Sequence, residues 1–136
     1  MRRWSLAVSV VFPVAFGVAA QVPVDKDTQE VCAEAEQRFA AQGGKKDPGV
    51  VMVLMYKYRF CPPNLTVKSG TTVRWINVDK RTSHSVWLKE AGQPESPRMF
   101  NFETYEFPFT MPGKYPYLCG PHWEQEKMVG HVTVTP

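Results

Sequence analysis

Cys119-Gly120-Pro121-His122, with Met128 six residues further on and His84 upstream in Thr82-Ser83-His84-Ser85, offers a thiolate, two imidazoles and a thioether. That donor set suits copper cycling between its two oxidation states, in a trigonal His2Cys arrangement with a weak axial Met. The chemistry it implies is electron transfer or metal binding. Ser83-His84-Ser85 is not a catalytic triad, because neighbours in a strand point to opposite faces and no positioned acid accompanies them. Phosphate loops, paired carboxylates and zinc-type Cys/His spacings are absent from the sequence. Met52, Met55, Met99 and Met111 show no clustering and read as packing residues.

His84 lies far from Cys119 in the chain, so a rigid frame must bring the two together. Asp27 to Gln42 places Val31, Ala35 and Phe39 on one helical face with Cys32 alongside; Thr28 or Asp27 can cap its start and Gly43-Gly44 stops it. Lys45 to Gly49 reads as a linker. From Val50 the pattern turns to β: Val50–Tyr56 is a buried apolar run, Tyr56–Phe60 alternates, and Pro62-Pro63 breaks it. Leu65–Lys68 and Thr71–Asn77 follow, joined by the Ser69-Gly70 turn. Further strands are expected at His84–Leu88, Thr104–Thr110, Lys114–Cys119 and His131–Thr135. Lys89 to Phe100 is too polar and proline-rich for a buried strand. Short strands at this spacing, with helix only at the amino end, indicate an antiparallel sandwich.

The 136 residues are sufficient for one domain. Met1-Arg2-Arg3, the apolar run to Ala20 and the small residues Val18-Ala19-Ala20 read as an export signal cleaved before Gln21; a retained anchor is the other reading of the same run. The Arg pair leaves the general and twin-arginine routes both open. Cleavage removes both arginines, so a formal charge of +3 falls to about +1, which argues against nucleic acid as a partner. Of three cysteines in an exported chain, Cys119 belongs to the metal set, leaving Cys32 and Cys61 either paired or as two free thiols. Pairing closes a loop worth ~3–4 kcal/mol in the chain-entropy model.

The stretch from Phe60 to Val134 resembles the cupredoxins, the small blue-copper proteins of the pseudoazurin, amicyanin and plastocyanin kind. The matching residues run Phe60-x-Pro62-x2-Leu65-x-Val67-x2-Gly70-x-Thr72-Val73-x-Trp75-x-Asn77-x-Asp79 to His84, resume at Pro112-Gly113-x-Tyr115, and continue through Cys119-x-Pro121-His122 to Met128-x-Gly130-x-Val132. The fold implied is all-β, a Greek-key antiparallel β-sandwich (cupredoxin-like) with a short N-terminal helical extension. Its division would be a signal peptide over 1–20, an extension over 21–49 and a cupredoxin domain over 50–136.

The resemblance implies one type 1 copper held by His84 and His122 through ring nitrogens, by the Cys119 thiolate and weakly by Met128. It also implies a periplasmic monomer passing single electrons between a redox donor and acceptor, such as a cytochrome or a larger oxidoreductase. The loop from His122 to Met128, however, holds five residues, longer than is usual, and Gln125 within it is itself an attested type of axial donor. Ser85 stands where these proteins commonly carry Asn, and its short hydroxyl can make fewer bonds between the ligand loops. A copper-delivery protein of the same fold is the alternative function. An enzyme would need a second copper and more histidines than His131, which reads as an exposed strand residue. Trp123, Met111, Pro112 and Phe100 are candidates for an apolar rim around the His122 edge; packing is the other reading of Trp123 and of Phe100 with Phe102.

Overall fold

Alternation along β1 (Val51–Tyr56) explains the architecture: Val53 and Met55 face one core, while Leu54 and Tyr56 face another. The computed structural model describes residues 21–136, so the expected leader lies outside the described residues. A strand buried on both faces reads as a continuous apolar run, as this one does.

Helix α1 (Lys26–Ala41) carries the expected row, with Ala35 and Phe39 buried and Val31 half-buried. Its N-cap is Asp25, whose carboxylate accepts the Thr28 N–H at 2.8 Å, so the caps expected at Thr28 or Asp27 lie inside the first turn. At the other end the Gly44 N–H reaches the Phe39 carbonyl at 2.8 Å and the Gly43 N–H reaches that of Ala40 at 3.0 Å. This double closure requires a left-handed residue, which Gly43 supplies with φ +79°.

The remaining strands are β2 (Arg59–Cys61), β3 (Asn64–Lys68), β4 (Thr71–Asn77), β5 (Thr104–Phe109), β6 (Gly113–Leu118) and β7 (Val129–Thr135), with a short helix α2 (Trp123–Glu126) before the last. They form two sheets, ordered β2-β1-β4-β5 and β3-β7-β6. The expected β-sandwich is present, but it is not wholly antiparallel: β1 runs parallel to β4 and β3 parallel to β7. Parallel neighbours need a crossover, and here the connections pass through the opposite sheet, by β3 between β1 and β4 and by β4 and β5 between β3 and β7. The Ser69-Gly70 turn joins β3 to β4 across the sheets. Accordingly the Ser69 N–H binds Thr135 O in one sheet, and the Gly70 N–H binds Phe109 O in the other.

Two expected strands differ. The alternation from Tyr56 to Phe60 is interrupted by a two-residue hairpin turn, Lys57-Tyr58, both with positive φ (43° and 60°), because Tyr56 pairs with Arg59. His84–Leu88 is no regular strand. It makes only single bridges, His84 to Met99 in an irregular loop and Trp87 to Leu118 of β6. Helix also occurs outside the amino end, in α2.

Between the sheets lies the main core, which includes Phe60, Trp75, Leu88, Tyr117, Cys119 and Met128. A second core fills the space between α1 and the outer face of the four-stranded sheet, where Ala35 and Phe39 meet Leu54, Tyr56, Ile76 and Val78. Phe102 stacks on Phe39 at 5.9 Å and helps to cover this core. The Cys32–Cys61 disulfide closes the edge of the second core, leaving Cys119 as the free cysteine among the described residues.

Candidate metal centre

Strand β6 ends by delivering Cys119 to the rim of the main core. Its carbonyl then accepts the N–H groups of His122 (3.1 Å) and Trp123 (2.9 Å), which curls the loop back over it. The extra loop residues are taken up by α2, which Lys127 ends in a left-handed conformation (φ 56°). The Cys119 N–H donates to Met128 O at 3.0 Å, returning Met128 beneath the cysteine before β7 begins. Met128 is fully buried in the same cluster as Cys119, whereas Gln125 lies exposed on α2.

His84 comes from the bridging segment and is fully buried. Its Nε2 meets Asp79 Oδ2 at 2.6 Å, and its Nδ1 lies 3.8 Å from Cys119 Sγ. His122 Nδ1 lies 3.4 Å from the same sulfur. One donor atom from each of His84, Cys119 and His122 falls within 4.8 Å of the others. A carboxylate behind a ligating imidazole fixes its tautomer and orientation. Asp79 is itself held, accepting the Lys57 N–H at 3.1 Å, while its own N–H donates to Asn77 Oδ1 at 2.8 Å.

Burial pushes the Cys119 thiol up, a shift only partly offset by hydrogen bonding from Ser85. His122 is pushed down, first by burial and then by the neighbouring His84. A neutral imidazole is a metal donor and a thiol binds metal as thiolate, so a cation must supply the charge that this apolar setting withholds. Two Nδ1 atoms facing one buried sulfur, with the Nε2 of His84 already committed to Asp79, fit a copper ion.

Ser85 ties the two ligand segments together after all. Its N–H points at Cys119 Sγ (3.4 Å), its hydroxyl accepts the Gly120 N–H (2.9 Å), and the same hydroxyl donates to Glu95 (2.6 Å). Sequence reasoning passed over Glu95 and the role of Asp79. Asp79 stood within the quoted motif, but Glu95 had no signal, being one charge in a polar loop. Tyr58 was also missed: its left-handed turn sets the ring 4.9 Å from that of His122 and 6.3 Å from that of His84.

Other expectations change. His131 is buried, at 3% exposure, and lies outside the metal cluster. It pairs with Asn64 on one side and Pro116 on the other, and Val22 is pinned over Asn64 by hydrogen bonds of 2.9 and 2.8 Å. Met111 and Pro112 precede β6, whereas Cys119 follows it, so they lie at the opposite end of the sandwich and form no rim around His122. Phe100, 62% exposed, adjoins Met99 and so remains near His84.

A family model described as copper binding proteins, plastocyanin/azurin family, matches residues 49–135. Amicyanin of Paracoccus denitrificans is 36% identical over 93 residues, covering 65% of this chain and 68% of that protein. Amicyanin-alpha of Methylorubrum extorquens is 32% identical over 78 residues, covering 54% of this chain and 65% of that protein, slightly under two thirds of its length. A solved structure of an oxidized amicyanin mutant superposes with a TM-score of 0.58 at 32% identity, covering 67% of this chain and 87% of its own. With its donors gathered where the two sheets meet and the family model spanning both, the chain belongs to the copper-binding plastocyanin/azurin family, the cupredoxins.

Proposed function

We propose that this protein is a periplasmic one-electron carrier with one type 1 copper ion, held by His84, Cys119 and His122 and capped axially by Met128. The observation that carries the reading is the convergence of two imidazole Nδ1 atoms on a single buried cysteine sulfur. Copper bound there supplies a one-electron Cu(II)/Cu(I) couple. The chain's own residues hold the geometry fixed: Asp79 orients His84, Ser85 locks both ligand segments, and the core around Cys119 and Met128 excludes water. Burial favours Met128 over Gln125 as the axial group, since a side chain exposed on α2 faces away from the core. His122 is the half-exposed ligand, so its edge is the exit for electrons to and from larger redox proteins. Among the described residues no helix is long and apolar enough to cross a membrane. On this reading residues 1–20 are a cleaved leader and 21–49 an extension of a monomeric copper domain spanning 50–136.

The visible spectrum of the Cu(II)-loaded mature protein, compared with Cys119→Ser, tests the proposal. An intense thiolate-to-copper band that vanishes in the variant is expected. A weakly coloured wild type indistinguishable from the variant would reject the electron carrier and favour copper delivery.

A further inference from the structure

The loop from Lys89 to Phe100 has no regular structure, yet it is pinned along its length. Trp87 Nε1 donates to Gln93 O (3.1 Å), Ser96 N–H to Val86 O (2.9 Å), and Val86 N–H to Ser96 Oγ (2.9 Å), while Met99 exchanges backbone bonds with His84. Glu95 therefore sits between two anchored residues. Its carboxylate accepts the Ser85 hydroxyl at 2.6 Å, a short charge-assisted bond.

A serine hydroxyl has one proton. Once that proton is committed to Glu95, a lone pair of the same oxygen is turned toward the Gly120 N–H, which it meets at 2.9 Å. Ser85 N–H in turn points at Cys119 Sγ. The chain of contacts thus runs from a carboxylate through one hydroxyl to the backbone on both sides of the metal-binding cysteine. Position 120 is shaped for it, because a Cβ there would overlap the Glu95 carboxylate. Arg98 is the nearest counter-charge, at 3.9 Å, beyond hydrogen-bond reach.

From this geometry we infer that Glu95 is a positioning residue for the metal centre, orienting the Ser85 hydroxyl and placing a negative charge that favours the oxidised state. The inference rests on the copper reading above. A fixed anion near the centre disfavours the added electron, so it lowers the reduction potential.

The test is the midpoint potential and Cu(II) EPR spectrum of the copper-loaded mature protein, for wild type, Glu95→Gln and Glu90→Gln. Gln keeps an acceptor for Ser85 but removes the charge. Glu95→Gln is expected to raise the potential by on the order of a tenfold change in the Cu(II)-to-Cu(I) affinity ratio, about 59 mV for one electron. Its EPR spectrum should stay close to wild type. Glu90→Gln, on the same loop but with no bond to the site, should leave the potential unchanged. An unshifted Glu95→Gln, or an equal shift from Glu90→Gln, overturns the inference. If Glu95→Gln does not fold, Ser85→Ala carries the test: altered EPR parameters and faster copper release are expected, and wild-type values for both overturn it. A wild type lacking the thiolate-to-copper band overturns the copper reading and this inference with it. A blue wild type with an unshifted Glu95→Gln overturns this inference alone.

Discussion

The two cores on either face of β1 are both built from apolar and aromatic side chains but differ in what hangs on them. The inter-sheet core includes Cys119 and Met128 and abuts His84, so its packing is also the packing of the metal centre. The helix–sheet core contains Phe39, Leu54, Tyr56 and Ile76 and none of the proposed ligands. Stability and site geometry should therefore separate: damage to the second core should weaken the fold and spare the centre, and damage behind His84 should do the reverse.

Phe39→Ala should produce the largest loss of stability. Phe39 is nearly buried, stacks on Phe102 and closes the helix end over Gly44. Large-to-small changes at such sites cost about 3–5 kcal/mol. Denaturant unfolding should show that drop while the copper spectrum of the folded fraction stays at wild-type values. A shifted spectrum would mean that the two cores are coupled through β1. Replacing both Cys32 and Cys61 by Ser should cost about 3 kcal/mol through the reopened loop, again with no spectral change.

Asp79→Asn sharpens the comparison from the other side. It removes the anion behind His84 and leaves both cores intact. Loss of such a partner typically lowers metal affinity about 10–100-fold. Competition with a chelator should show that loss, with the metal-free protein melting close to wild type. Equal losses of affinity and apo stability would make Asp79 a structural residue only.

The difference between the cores also governs what could be read from the chain. Val31, Ala35 and Phe39 announce a helical face by spacing alone, and the Gly43-Gly44 stop is local chemistry, so α1 was legible almost to its ends. The four proposed ligands were legible by type, three of which the structure gathers into one cluster. The parallel pairings were not, because which strands become neighbours within a sheet depends on where the chain crosses between the sheets, as at Ser69-Gly70, and not on any local pattern. His84–Leu88 has the composition of a strand but meets only single bridging partners, a fact of tertiary position. His131 looked exposed because nothing in its neighbours reveals that Val22 is drawn over Asn64 from the far end of the chain. Glu95 was invisible for the same reason: its meaning comes from Ser85, ten residues away in sequence and brought close by the anchored loop.

The smallest effect, and the most local test of separation, lies at the start of α1. Asp25 accepts the Thr28 N–H, and that bond is the main reason its carboxyl titrates below the usual aspartate value. In the unfolded chain the group returns to about 3.9. A carboxyl depressed by folding contributes stability that is fully present above its unfolded pKa and is lost as pH falls through the folded one. Asp25→Ala should therefore lower the melting temperature at pH 7 by less than either change in the second core. The gap to wild type should close as the pH falls below about 4. Asp25→Asn retains a capping oxygen without the charge, so it should sit nearer wild type at pH 7, and since neither replacement titrates, its offset from Asp25→Ala should not change with pH. Because the buried face of α1 packs in the second core, which holds none of the proposed ligands, neither change should move the copper band. A pH-independent gap for Asp25→Ala would show that the cap acts through packing and not through its charge.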